Sequence, residues 1–132
     1  MTWTAAAPTL RPVKVFLVED SPLLRTRLEA MISSIPGAQA VAHADGAQEA
    51  IRAILATRPD AVVLDIHLSQ GNGFDILRAV SKAAPDIAFY VLTNFPEESY
   101  RRSAERLGAR GFFDKSSEFD KLRAALVGIV RP

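Results

Sequence analysis

The 132 residues suffice for one domain with a core of its own, and 48% hydrophobic with 23% charged residues is a globular composition. Sixteen Lys and Arg against fifteen Asp and Glu leave a formal charge of +1, scattered along the chain, which gives no electrostatic case for nucleic acid or a membrane surface. The absence of cysteine excludes a disulfide framework, a thiolate zinc site and a cysteine nucleophile, and it fits a reducing compartment; no apolar run approaches the ~20 residues that span a bilayer.

Residues 1–12 have neither a basic nor an apolar stretch of signal-peptide type, and with Pro8 and Pro12 they read as a flexible tail carrying an exposed Trp3. The domain is expected over residues 13–132. Val13 to Val18 is apolar except for Lys14, as a strand buried on both faces should be. Ser21 is placed to cap a helix with Pro22 in its first turn, and Leu24, Leu28, Met31, Ile32 and Ile35 follow helical spacing up to Pro36-Gly37. Ala38 to Ala42 is a weak second strand. Asp45-Gly46 leads into a helix with Ala50, Ile51, Ile54 and Leu55 on one face, ended by Arg58-Pro59-Asp60. Ala61 to Leu64 is the third strand. After the loop Ser69 to Gly73, a helix points Phe74, Leu77 and Val80 inward. Ile87 to Leu92 is the fourth strand, and Glu97 to Leu107 is a helix with little apolar surface: Tyr100, Ala104 and Leu107. Gly111 to Asp114 is a short fifth strand. The last helix is expected to begin after Ser117, with Asp120 completing a capping-box spacing, and to bury Phe119, Leu122, Leu126 and Ile129. Five strand–helix units with short connections predict an open parallel sheet, order 2-1-3-4-5, with helices on both faces.

In such a sheet, side chains at the carboxyl ends of neighbouring strands meet in one crevice. Glu19 and Asp20, Asp65, Thr93 and Lys115 each follow a strand, on the first, third, fourth and fifth units. Each has a plain structural reading by itself: a turn aspartate, polar residues before a cap, a strand threonine, a solvated lysine. Together they are three carboxylates, a hydroxyl and an ammonium at one place. Clustered carboxylates resist ionising unless positive charge compensates. Mg²⁺ commonly binds through one or two carboxylates, water and phosphate oxygen, and Lys115 adds a fixed cation. The pattern predicts a phosphoryl site with Asp65 as nucleophile. His43 and His67 are too few and too far apart in sequence to predict a zinc pair.

The segments Val15-Phe16-Leu17-Val18-Glu19-Asp20-Ser21, Leu64-Asp65-Ile66-His67-Leu68 with Gly73, Leu92-Thr93 and Gly111-Phe112-Phe113-Asp114-Lys115 resemble a response-regulator receiver domain of two-component signalling, a flavodoxin-like fold. The run from Thr93-Asn94-Phe95 to Lys115-Ser116 looks closest to receivers of the LuxR/NarL group. The resemblance implies that Asp65 accepts a phosphoryl group from the phosphohistidine of a sensor kinase or phosphotransfer protein. It also implies that Asp20 ligates Mg²⁺ directly and Glu19 through water, with Asp65 and the backbone carbonyl of His67 completing the protein ligands. Lys115 would contact the phosphoryl oxygens, Thr93 would swing its hydroxyl onto one of them, and Phe112 would be the switch aromatic that turns inward. His67, Asn94 and Phe95 would flank access to the phosphoryl site; the alternative for Phe95 is packing on the fourth helix.

Three departures from the family pattern stand out. Ser69 and Ser116 replace prolines, so Lys115-Ser116 is expected trans, since a non-proline cis bond costs ~2.5–4 kcal/mol; Phe112 lacks the hydroxyl of a tyrosine. The resemblance further implies a cytoplasmic signalling switch with no catalytic turnover of its own beyond assisting phosphoryl transfer and slow dephosphorylation. It implies no contact with nucleic acid or membrane by this domain, an unspecified output, and a phosphorylation-dependent homodimer. No helix-turn-helix follows the last helix, so a stand-alone regulator and the receiver part of a longer protein both stay open. A flavodoxin would need a hydroxyl- and glycine-rich loop where Glu19-Asp20-Ser21-Pro22 stands, and an aspartyl phosphatase would want two close aspartates after the first strand. A binding-only pseudo-receiver is the remaining rival, although none of the expected site residues is missing.

Overall fold

The computed structural model describes residues 11–131. Ten elements alternate along it: β1 (Val13–Val18), α1 (Pro22–Ser33), β2 (Ala38–Ala44), α2 (Ala47–Thr57), β3 (Ala61–Leu64), α3 (Gly73–Val80), β4 (Ala88–Thr93), α4 (Glu98–Arg106), β5 (Ala109–Asp114) and α5 (Phe119–Val130). All strand pairs are parallel and the order is β2-β1-β3-β4-β5, as the alternation predicts. The chain reverses direction of assembly between β1 and β3, which opens a crevice at the carboxyl ends of those strands.

The pleat sorts the core into two layers. Phe16, Val18, Val62, Leu64, Phe89 and Val91 pack with α2, α3 and α4, while Val15, Leu17, Val63, Tyr90 and Leu92 pack with α1 and α5. The central strands β3 and β4 are buried at every position, which explains their uninterrupted apolar sequences. Ser21 caps α1 by accepting from the Leu24 N–H at 3.3 Å.

Several expectations are corrected. β2 runs two residues further, to Ala44, because a bulge at Val15/Phe16 keeps His43 and Ala44 in register with Leu17 and Val18. β4 starts at Ala88 and includes Thr93, and β5 starts at Ala109, its first residues pairing through a second bulge. Leu55, expected inward, is exposed; α2 buries Ala47, Ala50 and Ile54 instead. In α3 the fully buried residues are Ile76, Leu77 and Val80, whereas Phe74 is half-buried and packs beside Tyr100. Asn72 and Asp75 form a reciprocal capping box at its start, a signal not read from the sequence. α5 begins one residue later than expected, after Glu118, without a side-chain cap. Ser117 is spent in a turn whose amide donates to the Asp114 carbonyl, and Glu118 reaches back to the Asp114 N–H at 3.0 Å. Phe119 and Ile129 are only partly covered there, leaving Leu122 and Leu126 as the buried pair of α5.

The tail expected over residues 1–12, with Trp3, lies outside the described residues except for its last two positions. Arg11 makes a two-pronged pair with Asp60, at 2.8 and 3.0 Å, and Asp60 also accepts from the Lys14 N–H at 2.8 Å. These bonds hold the Asp60 carboxyl below its usual range against the opposing effect of burial.

Candidate functional site

β1, β3, β4 and β5 end side by side, so the chain turns after each of them deliver the expected residues to one crevice. Glu19 follows β1, Asp65 follows β3, Thr93 ends β4 and Lys115 follows β5. Glu19, Asp65 and Thr93 are the only polar residues buried in the described chain, at 3%, 6% and 0% exposure. Buried polar groups persist when they are bonded, and these are. Lys115 Nζ donates to Asp65 Oδ2 at 2.6 Å and pairs with Glu19 Oε1 at 2.9 Å. The second Glu19 oxygen takes the Ser21 N–H at 2.9 Å, and Asp65 Oδ1 takes the His67 N–H at 3.2 Å. Asp20 Oδ2 accepts from the Ser69 N–H at 2.7 Å, tying the β1–α1 loop to the β3–α3 loop.

Electrostatically the site is short of positive charge. Burial pushes the Glu19 carboxyl above its usual range, overcoming its bonds with Lys115 and Ser21, and the Asp65 charge adds to the rise. Burial alone would lower the Lys115 ammonium, but Asp65 and Glu19 together raise it above the ordinary lysine range. Glu19, Asp20 and Asp65 each present a carboxylate oxygen within 4.8 Å of the others. Three hard oxygen donors facing a single ammonium suit a divalent cation of the Mg²⁺ type. Within the described residues this acidic group is the cluster able to hold a metal, and His43 and His67 take no part in it.

Two backbone details shape the crevice. A Cβ at Gly73 would lie 2.5 Å from the Asp65 carbonyl oxygen and 2.6 Å from Leu64 Cδ1, so α3 can begin against the Asp65 loop only with glycine there. The Gly73 N–H bonds the Ile66 carbonyl at 2.8 Å and closes a short bridge between His67 and Asn72. No described peptide bond is cis, so Lys115-Ser116 is trans as the missing proline predicts.

The mouth carries aromatic rings. His67 and Phe95 meet edge to face with centroids 4.1 Å apart, and Tyr100 of α4 approaches His67 at 5.7 Å. Phe95 therefore packs on the His67 ring, and it remains 44% exposed. Asn94 is exposed beside it. Thr93 Oγ1 accepts from the Phe95 N–H at 3.1 Å, so the strand-end hydroxyl and the ring share one turn.

Phe112, expected to turn inward on switching, already lies inward, at 3% exposure. Arg101 of α4 lies over its ring at 4.9 Å, bonds its carbonyl at 3.3 Å and pairs with Glu98 at 3.6 Å. Its charge also helps to hold Glu118 below the usual carboxyl range, behind the larger effects of Lys121 and the Asp114 N–H. Arg25 of α1 bonds the Glu19 carbonyl at 3.3 Å and Asp45 at 3.2 Å, bracing the loop that carries the acidic pair. Sequence reasoning missed both arginines, because each acts on residues from a distant part of the chain.

The sequence matches the family model of the response regulator receiver domain over residues 15–127. Among curated relatives, the DNA-binding transcriptional activator DevR/DosR of Mycobacterium tuberculosis is 32% identical over 114 residues, covering 86% of this chain and 52% of its own length. The response regulator GacA of Pseudomonas aeruginosa is 27% identical, covering 86% of this chain and 53% of its own. The chain thus spans about half the length of these relatives. A LuxR-family two-component response regulator from Aurantimonas superposes with a TM-score of 0.84 at 29% identity, covering 90% of this chain and 85% of that one. The response regulator domain of Thermotoga maritima CheB gives 0.79 at 28% identity, covering 92% and 95%. A chain matched along most of its described length by that family model, and folded as these receivers are, belongs to the response-regulator receiver-domain family of two-component signalling.

Proposed function

We propose that this receiver domain is a phosphorylation switch in which Asp65 accepts a phosphoryl group from the phosphohistidine of a sensor kinase or phosphotransfer protein. The observation that carries the reading is Lys115, held largely out of solvent between Asp65 and Glu19 with Asp20 alongside. Asp65 Oδ1, held by only one long amide bond, attacks phosphorus in line; the new P–O bond forms as the P–N bond breaks, and the imidazole leaves with the electron pair. Lys115 then shifts its contact from the carboxylate to a phosphoryl oxygen, neutralising charge that would otherwise repel Glu19 and Asp20.

Bound Mg²⁺ would supply charge neutralisation at the transferring phosphoryl oxygens. Asp20 would hold it directly, since one of its oxygens is committed to Ser69 and the other is free to turn inward. Glu19 would act through water, because Lys115 and Ser21 occupy both of its oxygens. The His67 backbone carbonyl and Asp65 would complete the ligand set.

Thr93 would turn its hydroxyl from the Phe95 N–H to a phosphoryl oxygen, releasing the amide that fixes the β4–α4 loop. Phe112 then reports the change through β5, and α4, with Ala104 as its one fully buried residue, is the element free to shift. The domain works in the cytoplasm as a switch rather than a turnover enzyme, with a phosphorylation-dependent homodimer as one route to its unspecified output. A pseudo-receiver is disfavoured by the complete set of site residues. The test is incubation with acetyl phosphate, with and without Mg²⁺: an acid-labile adduct that forms only with the metal supports the reading, and no adduct in either condition overturns it.

A further inference from the structure

At the opposite end of the sheet from Asp65, the fold collects cations that the sequence scatters. Arg78 and Lys82 leave the end of α3, Arg106 the last turn of α4, and Arg110 the start of β5, and all four are exposed around one groove of about 540 Å³. No carboxylate lines it, although the chain has almost as many acids as bases.

Favourable contact between cations and helix C-termini accounts for Arg78 and Arg106, each in the last turn of its helix. It does not account for Arg110, which lies on a strand. Phe89 pairs with Ala109 and Tyr90 with Gly111, so Arg110 is the extra residue of a β-bulge, the device that redirects a side chain out of the ladder. Among the described residues only Arg78 has an acidic partner, Asp75 at 3.3 Å on the exposed surface; Lys82, Arg106 and Arg110 have none.

The groove is also built. Ser81 Oγ donates to the Leu107 carbonyl at 2.8 Å, joining the ends of α3 and α4. Gly108 adopts φ +109°, a conformation that side chains rarely adopt, and a Cβ there would crowd Ser81 Cβ at 3.2 Å where the two helix ends meet. Pro85, Ile87 and Leu107 supply an apolar floor beneath the cationic rim. A volume in the ~300–1,000 Å³ range, an apolar floor and a few convergent charges are the features of a small-molecule site.

We propose that this groove binds a nucleoside polyphosphate, with the phosphates on Lys82, Arg106, Arg110 and Arg78 and the base on the Pro85–Ile87–Leu107 floor. Guanidinium forks match phosphate oxygens two at a time, and the three cations without an acidic partner, with Arg78 beside them, offset most of the charge of a triphosphate. A bare polyanion or an oligoglutamate would leave the apolar floor unused.

The experiment is an amide-shift titration of the folded domain with ATP in EDTA, which silences the acidic site, alongside tripolyphosphate, adenosine and an oligoglutamate peptide. Saturable shifts confined to residues 78–87 and 106–111 are expected with ATP, with tripolyphosphate at least severalfold weaker. Lys82→Gln combined with Arg110→Gln should weaken ATP about tenfold or more, since each lost bond to a charged group is worth roughly that factor. A melting curve confirms that this exposed double variant is folded. No saturable shift at millimolar ATP overturns the proposal. So does tripolyphosphate or oligoglutamate binding as tightly as ATP, or a double variant that binds ATP as the parent does.

Discussion

Replacing Lys115 with Met removes the ammonium while nearly keeping its stem, and it asks how far the carboxylates depend on that charge. At an effective dielectric constant near 20, attractions at 2.6 and 2.9 Å amount to about 6 kcal/mol each. Much of that offsets the cost of burying the ions, several kcal/mol apiece. With the lysine gone its own burial cost is recovered, but Glu19 and Asp65 stay buried without a counter-charge, a situation that costs about 3–5 kcal/mol. Glu19 already binds its proton more readily in the folded protein than in the unfolded chain, and the variant strengthens that preference. The native state then holds more protons than the unfolded one between the ordinary carboxyl range and the raised folded value, so stability falls as pH rises through that window. Urea unfolding at pH 7 should show a loss of about 3–5 kcal/mol, and at pH 5 a smaller one. Added Mg²⁺ should restore more stability to the variant than to the parent, because binding to the native state alone stabilises it by mass action. A loss below about 1 kcal/mol that is the same at both pH values would mean that Lys115 is an ordinary surface charge, and the reasoning would fail.

Three further outcomes follow from the same geometry. Asp20→Ala should weaken Mg²⁺ binding more than Glu19→Ala, whose indirect role is worth about 10-fold; calorimetric titration giving equal losses would contradict the assignment. Arg101→Ala removes the cover of the Phe112 ring and a charged bond to its carbonyl, worth together about 1–3 kcal/mol, so hydrogen exchange over residues 98–106 should speed up by roughly 5- to 150-fold. Beryllium fluoride should alter the same segment in the parent, and changes confined to α1 and α2 would count against α4 as the mobile element. Phe95→Glu combined with His67→Asn opens the ring pair at the mouth and supplies groups that can orient water, so decay of the phosphorylated form should accelerate about tenfold; unchanged decay would remove the shielding role of the two rings.

The site was legible in the sequence because a parallel sheet puts every strand's carboxyl end at one edge. Once Val13–Val18, Ala61–Leu64 and the fourth and fifth strands are recognised, Glu19, Asp65, Thr93 and Lys115 must come together whatever the side chains do in detail. What escaped were features decided by neighbours distant in sequence. The bulges at Val41 and Arg110 arise from pairing and shifted the ends of β2 and β5. Leu55 fits a helical stripe, yet α2 meets the sheet over only part of that stripe. The Ser117 cap has the right spacing, but Asp114 competes for the same turn. Arg101 and the cations around the α3–α4 groove are separate in sequence and meet only in the fold.

The most direct test of the phosphorylation switch is the intact mass of the protein after incubation with acetyl phosphate and Mg²⁺, compared with the Asp65→Asn variant. One phosphoryl group should add to the parent, the adduct should be lost on brief acid or hydroxylamine treatment, and the variant should stay unmodified. A variant that carries the adduct in equal yield would show that the phosphoryl group sits elsewhere and that Asp65 is not its acceptor.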